Sequence, residues 1–388
     1  MKDVAIVAGA RTPFGRAIKG NLKDTRPDTM GALVIKEAVA RSKGFEAKEI
    51  EDVVMGCAMP EAEQGMNVAR IVALEAGLPV EVAAVTVNRF CASGVQSIAD
   101  VARAIEVGSI TTGIAGGLET MSMIPMGGNK ISMNRSVVES RPEVFTPMGI
   151  TAENVARRFE VSRKDQDEFA LRSHQRATAA QNNGTFAAEI VPVVTKVYDA
   201  QGRATQVTVD KDEGPRADST YEALAKLKPA FDQTGTVTAG NSSPLTDGAA
   251  AVLLTSGARL KRSGAQPLGW FREFAVAGVP PEIMGIGPVP AIRKLLAKTG
   301  LKMEDIDLFE INEAFAAQAV YCARELKVDM EKLNVNGGAI ALGHPLGVSG
   351  TRLVLTALYE LGRRKGRYAI ASMCIGGGMG AAALIERA

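Results

Sequence analysis

The sequence is poor in the residues that bind metals and form disulfides. Its 388 residues include four cysteines and two histidines, and no two of the cysteines lie at metal-ligand spacing. A zinc site therefore has almost no candidate ligands, and a disulfide framework is not expected in so long and cysteine-poor a chain. We expect no metal and no bound cofactor. The six residues are Cys57, Cys91, Cys322, Cys374, His174 and His344.

An excess of charge of one sign is also missing. Lys and Arg number 45 and Asp and Glu number 43, which predicts neither a nucleic-acid surface nor a membrane surface. The first residues, "MKDVAIVAGARTPFG", lead directly into a strand-like run and lack the longer apolar stretch of a signal peptide. The C-terminal "ERA" is not a peroxisomal address. These features favour a cytoplasmic enzyme.

One uncharged stretch, "YAIASMCIGGGMGAAALI" at residues 368–385, is long enough to cross a membrane. The glycines at its centre would make a poor helix. The stretch therefore predicts two buried strands joined by a glycine turn, and no membrane span.

Two parts of the chain repeat the same order of strands and helices. "GFEAKEIEDVVMG" in the first part corresponds to "GLKMEDIDLFEIN" in the second: each predicts a helix end, a short acidic helix start and a buried strand. Strands alternating with helices of this length are typical of an α/β fold with covered sheet faces. The sequence between the two parts does not follow the repeat. It predicts loops, a two-segment helical run with a capping box at Ser162 and Asp165, and two strands. We interpret this middle part as an insertion that carries binding loops.

Several residues with reactive or polar side chains follow predicted strands and precede glycine turns or helices. Cys91 in "VNRFCASG" opens a helix, and a helix N-terminus favours a thiolate. His344 lies in the equivalent turn of the second part, while Asn312 and Cys374 follow other strands. Each has an ordinary alternative: a buried cysteine as filler, a histidine in a turn, and an asparagine as a helix cap. Their shared position at strand ends, where α/β folds build sites, favours one active site.

These stretches resemble the thiolase family along nearly the whole chain. The matching segments are "RTPFG", "VNRFCASG", "PMGITAENVA", "LKPAFD", "TVTAGNSSPLTDGAAA", "GIGPVPA", "INEAFAAQ", "NVNGGAIALGHPLGVSG" and "CIGGGMG". The resemblance implies a five-layered α-β-α-β-α core made of two pseudo-symmetric halves, with an inserted loop domain. We place the first half at residues 1–118 and 246–266, the loop domain at 119–245 and the second half at 267–388.

The resemblance also implies reversible Claisen chemistry on coenzyme A thioesters, with coenzyme A as a substrate. Cys91 would be the acylated nucleophile, His344 the base that takes its proton, and Cys374 the acid and base for the carbon–carbon step. Asn312 would hold a water beside the enolate oxygen. The backbone N–H groups of Cys91 and Gly376 would stabilise the tetrahedral intermediate.

Coenzyme A would lie against the loop domain. By resemblance, Arg216 lies near the adenine, Met148 and Phe231 line the pantetheine channel, and Ser243 contacts the same moiety. Arg216 as a plain surface charge is the alternative. His174 falls in a polar helix, and we expect it to be a surface histidine.

The subtype signal is mixed. Pro147, with "GITAENVARRF" behind it, resembles degradative 3-ketoacyl-CoA thiolases of β-oxidation, since biosynthetic acetoacetyl-CoA thiolases usually carry a histidine there. "CIGGGMG" is common in the biosynthetic members. We expect the degradative subtype, with the biosynthetic one as the alternative.

Two rivals and the assembly complete the predictions. A decarboxylating ketoacyl synthase would need a second histidine or a His–Asn pair beside a single cysteine. A catalytically idle protein that binds coenzyme A or lipid, or acts as a scaffold, would have lost part of the triad that is intact here. We expect a homodimer or homotetramer, with docking to a β-oxidation partner left open.

Overall fold

The computed structural model describes residues 3–388. Within them the chain forms twelve strands and twelve α-helices. The strands are β1 (Val4–Arg11), β2 (Gly15–Arg16), β3 (Asp52–Gly56), β4 (Ala83–Val87), β5 (Thr112–Glu119), β6 (Val193–Tyr198), β7 (Ala204–Val209), β8 (Thr246–Ser256), β9 (Gly269–Gly278), β10 (Leu308–Ile311), β11 (Tyr368–Ile375) and β12 (Met379–Arg387). The helices are α1 (Pro27–Arg41), α2 (Val68–Glu75), α3 (Ser93–Val107), α4 (Arg135–Ser140), α5 (Met148–Arg158), α6 (Arg163–Asn182), α7 (Tyr221–Ala225), α8 (Gly257–Ser263), α9 (Pro288–Thr299), α10 (Ala316–Leu326), α11 (Ala339–Leu342) and α12 (Leu346–Arg364).

The main sheet is built from two halves with the same strand arrangement. Its order is β10-β11-β12-β9-β1-β8-β5-β3-β4. From the centre outward, the first half reads β1-β8-β5-β3-β4 and the second β9-β12-β11-β10. An isolated parallel bridge between Phe309 and Leu333 takes the place of β4 in the second half. Each element of one half therefore has a counterpart in the other, as the internal repeat predicts.

The halves join where β1 pairs antiparallel with β9, Val4 opposite Phe271 and Ile6 opposite Gly269. Within each half, the strands nearest the outer edge are parallel: β3 with β4 and β5, and β10 with β11. Their carboxyl ends meet at one edge of each half, which is where open α/β sheets place their sites.

Three apolar cores fill the four interfaces between five layers, the central core lying on both sides of the middle helices, and this confirms the predicted layering. Helices α1 and α2 cover the outer face of the first half, and α9 and α10 cover the outer face of the second. Helices α3 and α12 lie between the two halves and pack against strands of both. Burial of apolar surface in these cores supplies the main favourable free energy of folding.

Local sequence explains where the principal helices begin and end. Helices α1 and α9 begin with proline in the first turn, where the missing N–H costs nothing. Helices α3 and α9 end at Gly108 (φ 82°) and Gly300 (φ 71°) in the left-handed conformation that glycine adopts without penalty.

Helices α3 and α12 touch at their first turns through glycines. Thr351 Oγ1 donates to Gly94 O over 3.0 Å. A Cβ on Gly94 would lie 2.8 Å from Gly347 O, and a Cβ on Gly350 would overlap the backbone N of Val95. The absence of side chains therefore lets the two helix N-termini approach each other, and with them the turns that precede them.

The region between β5 and β8 has the predicted elements. Helices α5 and α6 are the two segments of the helical run, and Ser162 and Asp165 form the capping box of α6. Strands β6 and β7 form a separate two-stranded sheet. At the C-terminal end, the uncharged stretch folds as β11, a glycine turn and β12, as predicted. In residues 3–388, none of the helices combines the length and apolar character needed to cross a membrane.

Candidate active site

The Cys91 turn is a strained connection between β4 and α3. Phe90 has a φ of 44°, a conformation that costs free energy in a bulky residue and persists where neighbours enforce it. Asn88 supplies one restraint: its Oδ1 accepts from Phe90 N over 2.8 Å, and its Nδ2 donates to Ala58 O over 2.9 Å. Ser93 supplies another, since its Oγ accepts from Arg89 N and donates to Phe90 O. The turn holds the Cys91 thiol at the end of the strand.

The Cys91 thiol is buried, with 8% of the residue exposed. Burial raises its pKa to about 11, and the backbone N–H groups of Gly376 and of Cys91 itself act in the opposite direction. These are the two N–H groups that the sequence resemblance assigns to oxyanion stabilisation. The two segments that carry them meet here, because a Cβ on Gly376 would lie 3.8 Å from Phe90 Cδ2, in the residue before Cys91.

Cys374 lies near the end of β11 and is completely buried. Burial raises the pKa of its thiol well above the usual value, and the charge of Cys91 raises it further. The two thiols therefore lie within range of each other's charge. Gly376 follows two residues later, and a Cβ there would lie 3.4 Å from Met148 Sδ.

His344 lies in the turn before α12, the counterpart of the Cys91 turn. Asn312 Nδ2 lies 3.2 Å from His344 Nε2, and Ser349 Oγ lies 2.6 Å from His344 Nδ1. Because Ser349 Oγ donates to Pro345 O over 3.0 Å, it accepts from a proton on Nδ1. This tautomer leaves the lone pair on Nε2, beside Asn312.

Burial, together with a smaller contribution from the charge of Arg352, lowers the pKa of His344 to about 3. The imidazole is therefore neutral near pH 7 and able to accept a proton. Its backbone N–H donates to Thr246 Oγ1 over 3.1 Å. Asn312 Oδ1 is buried, and among residues 3–388 it has no hydrogen-bond partner.

The predicted coenzyme A residues fall into two places. Met148, at the start of α5, packs in the apolar cluster that contains Cys374 and Phe315. Phe231 lies edge-on to Phe315 with ring centroids 5.9 Å apart, and its ring covers Gly149. Ser243 donates from both N and Oγ to Ala314 O. These three surround the Cys374 side of the site.

Arg216 lies apart from that cluster, on an exposed segment held by His174. His174 Nδ1 accepts from Arg216 N over 3.3 Å. The expectation of a surface histidine is wrong, since His174 is 6% exposed. Burial lowers its pKa to about 4, and the Arg216 charge contributes. The polar pattern misled because α7, α10 and α11 all pack against α6.

Sequence reasoning missed several residues that support the site. Ser349 fixes the His344 tautomer, and Thr246 holds the backbone of the same turn. Glu119, the last residue of β5, accepts from Gly347 N at the start of α12. Its position after the apolar run "GIAGGL" was a usable signal, because a carboxylate at a buried strand end needs donors.

Comparison with known proteins agrees with this geometry. The family model described as "Thiolase, N-terminal domain" matches residues 4–258, and "Thiolase, C-terminal domain" matches residues 265–387. The chain therefore belongs to the thiolase family and is an acyltransferase.

Named relatives agree over the full length. The chain is 53% identical over 390 residues to a "3-ketoacyl-CoA thiolase" of Bacillus subtilis, covering 100% of both. It is 48% identical over 386 residues to the human peroxisomal "3-ketoacyl-CoA thiolase", covering 99% of this chain and 91% of the relative.

Two solved structures share the fold. The Bacillus anthracis acetyl-CoA acetyltransferase superposes with a TM-score of 0.91 at 43% identity, covering 100% of this chain and 99% of the other. The human mitochondrial 3-ketoacyl-CoA thiolase superposes with a TM-score of 0.90 at 41% identity and the same coverage. These likenesses confirm the predicted fold class. The boundaries of the loop domain stay a prediction.

Proposed function

We propose that this chain is a degradative thiolase that cleaves 3-ketoacyl-CoA with coenzyme A to acetyl-CoA and a shortened acyl-CoA. The observation that carries the proposal is the approach of the Gly376 backbone to the Cys91 turn, where a Cβ on Gly376 would lie 3.8 Å from Phe90 Cδ2, with two buried thiols within electrostatic range of each other. The full-length likeness to proteins named 3-ketoacyl-CoA thiolase favours the degradative subtype over the biosynthetic alternative.

The first half-reaction cleaves the carbon–carbon bond. His344 takes the proton of Cys91, and the thiolate attacks the 3-keto carbon. The bond between C2 and C3 then breaks, the acyl group stays on Cys91 as a thioester, and Cys374 protonates C2 of the departing acetyl-CoA enolate. A thioester intermediate suits the reaction because its transfer to another thiol is close to isoenergetic.

The second half-reaction releases the acyl group. The incoming coenzyme A gives its thiol proton to the Cys374 thiolate, and its sulfur attacks the acyl carbon. Cys91 departs as a thiolate and regains its proton from His344. Both thiols and the imidazole thus return to their starting protonation states.

Transfer of the Cys91 proton to His344 is unfavourable in the free enzyme, so the active site must stabilise the negative charge that forms on the substrate. With a thiol pKa of about 11 and an imidazole pKa of about 3, Cys91 and His344 are both neutral in the free enzyme at pH 7. We propose that the Cys91 and Gly376 N–H groups stabilise the tetrahedral oxyanion. His344 and a water on Asn312 Oδ1 would stabilise the enolate oxygen. Preorganised donors of this kind are often the largest single contribution to catalysis.

A comparison of the wild-type enzyme with Cys374→Ser tests the division of labour. After incubation with acetyl-CoA, peptide mass analysis should find acetyl on Cys91 in both proteins, since acyl transfer needs no carbon acid. Cleavage of acetoacetyl-CoA, followed by loss of its magnesium–enolate absorbance, should fall roughly 10²–10⁴-fold in the variant, the usual loss of general acid–base catalysis. Acetyl on Cys374, with Cys91 unmodified, would reverse the assigned roles.

Coenzyme A thioesters are the proposed substrates, bound along Met148, Phe231 and Ser243, with Arg216 near the adenine. Steady-state KM values for Phe231→Ala, compared with wild type, test the pantetheine assignment. We expect KM to rise with little change in kcat, because Phe231 would stabilise the bound substrate and the transition state equally. An unchanged KM would remove Phe231 from the site.

We also propose a homodimer or homotetramer. Strand β4 ends the sheet, and Val85 at its centre is 45% exposed. An exposed apolar edge strand is a template for pairing with another chain. The Val85→Lys substitution should shift the protein toward monomer in sedimentation experiments. An oligomer of unchanged size would place the interface elsewhere. The cytoplasmic location and a β-oxidation partner stay predictions from the sequence.

A further inference from the structure

The carboxyl ends of the parallel strands β3, β4 and β5 meet beside the Cys91 turn. Glu119 is the last residue of β5 and is 1% exposed. No step of the proposed mechanism uses this carboxylate. A buried carboxylate is costly unless donors surround it, so its contacts indicate what it is for.

Five donors from three segments converge on Glu119, the weakest being Cys57 Sγ at 3.8 Å from Oε1. Oε2 accepts from Ala58 N and Gly347 N, both over 2.8 Å. Oε1 accepts from Met59 N over 3.3 Å and from Gln64 Nε2. One oxygen therefore bonds both to the loop after β3, in the first half of the chain, and to the first turn of α12, in the second half.

Each of those bonds leads to one side of the active site. Ala58 O accepts from Asn88 Nδ2, whose partner oxygen holds Phe90 N, the residue before the nucleophile. Gly347 lies three residues after His344. A Cβ on Gly347 would lie 2.9 Å from Glu119 Oε2 and 2.8 Å from Gly56 O, so the contact depends on bare backbone.

We propose that Glu119 is the positioning residue that holds the Cys91 turn against the His344 turn, across the two halves of the chain. The inference rests on the proposed function, because it assigns those turns to one reaction. The carboxylate also acts on the Cys91 thiol through its charge and raises its pKa. The charge of Cys91 in turn raises the pKa of the Cys374 thiol. Glu119 thus keeps the nucleophile in place until substrate arrives, and its charge adds to the larger effect of burial on the pKa of the Cys91 thiol.

Glu119→Gln, compared with Glu51→Gln, tests the proposal. Glu51 also accepts from backbone N–H groups, those of Thr111 and Thr112, but at the opposite end of β5. For Glu119→Gln we expect kcat to fall about 10²-fold with KM little changed, the cost of a small misplacement of reacting groups. Removing the negative charge should at the same time speed iodoacetamide alkylation of Cys91 at pH 7. Glu51→Gln should change neither quantity.

A lower kcat together with faster alkylation of Cys91 alone distinguishes a positioning role from a loss of structure. Partial unfolding would also expose Cys322, so peptide mass analysis must find Cys322 unmodified. If Glu119→Gln does not fold, Glu119→Asp replaces it: the shorter side chain keeps the charge but cannot reach both Ala58 N and Gly347 N. For Glu119→Asp, a lower kcat without faster alkylation is expected.

A folded Glu119→Gln with wild-type kcat and wild-type alkylation would overturn the proposal. A wild-type protein without activity on any 3-ketoacyl-CoA would instead overturn the proposed function. In that event the alkylation rates of wild type and Glu119→Gln still test the electrostatic effect of Glu119 on Cys91: faster alkylation in the variant supports it, and equal rates refute it.

Discussion

Ser349 Oγ lies 2.6 Å from His344 Nδ1, one turn into the helix that begins just after the imidazole. Since the hydroxyl proton is donated to Pro345 O, this contact selects the proton on Nδ1 and the lone pair on Nε2. A serine that joins a helix to its own N-terminal histidine thus decides which nitrogen accepts a proton. The backbone and one hydroxyl accomplish what a buried carboxylate does in serine hydrolases.

Ser349→Ala should therefore lower kcat without loss of fold. A neutral hydrogen bond contributes about 1 kcal/mol, so the expected loss is roughly tenfold or less. Ser140→Ala is the matched control, because Ser140 Oγ also donates to the carbonyl four residues earlier, in an exposed helix. Steady-state kinetics on acetoacetyl-CoA provide the measurement. Equal kcat values for the two variants would mean that the tautomer does not depend on Ser349.

The glycine contact between α3 and α12 predicts opposite effects for two substitutions in one helix. Gly350→Ala would push its Cβ against the backbone of Val95, whereas a Cβ on Gly362 meets nothing within 4 Å. Gly350→Ala should lower the free energy of unfolding by about 1–3 kcal/mol, as overpacking does. Gly362→Ala should raise it by about 0.5–1 kcal/mol. Urea unfolding tests both, and a stable Gly350→Ala would show that the helices can separate freely.

His174 predicts a loss of stability in mild acid. Its pKa is about 4 in the folded chain and near 6.5 when unfolded. Between these values the unfolded state binds more protons, so the free energy of unfolding falls as pH decreases below about 6.5. One such histidine accounts for about 2 kcal/mol between pH 7 and pH 5.

His174→Gln should therefore lose less stability than wild type over that interval, because glutamine does not titrate and can still accept from Arg216 N. Urea unfolding of both proteins at pH 7 and pH 5 gives the difference. Identical pH dependence would show that His174 is protonated without cost in the folded state.

The sequence predicts much of this molecule because its signals are local. The turn glycines, the capping box at Ser162 and the buried strand "YAIASMCI" each specify their own conformation, and the repeat specifies how the halves relate. The contacts that complete the site join distant segments. Glu119 and Gly347 are 228 residues apart, and no local pattern marks such a pair.

The burial of His174 also depends on contacts between distant segments. Polarity along α6 predicts exposure, but the loop that carries Arg216 folds over the histidine from 42 residues away. Burial of a polar residue is decided by tertiary packing, which a helical period does not report. The conformation of the Cys91 turn was easier to predict, because a turn that leads from a strand into a helix is specified by a few neighbouring residues.

The residues around Cys374 also predict which acyl chain lengths the enzyme accepts. Pro147 precedes α5, and Met148 packs in the apolar cluster that contains Cys374. A Cβ on Gly376 would lie 3.4 Å from Met148 Sδ, and Phe231 lies against Gly149. A channel lined by a flexible thioether and a ring, without a bulky polar residue at 147, should accept medium acyl chains. Each buried CH₂ contributes up to about 0.8 kcal/mol, or roughly fourfold, and part of this reaches the transition state.

We therefore expect medium-chain 3-ketoacyl-CoA to match or exceed acetoacetyl-CoA in kcat/KM, with a gain of up to a few-fold per methylene. Pro147→His, which restores the residue typical of biosynthetic members, should reduce the gain for longer chains and leave acetoacetyl-CoA largely unaffected. Kinetics across a chain-length series for both proteins give the measurement. A wild-type profile that peaks at acetoacetyl-CoA and collapses with two added carbons would identify the enzyme as an acetyl-CoA acetyltransferase, because a channel closed beyond the acetyl group serves condensation of two acetyl units.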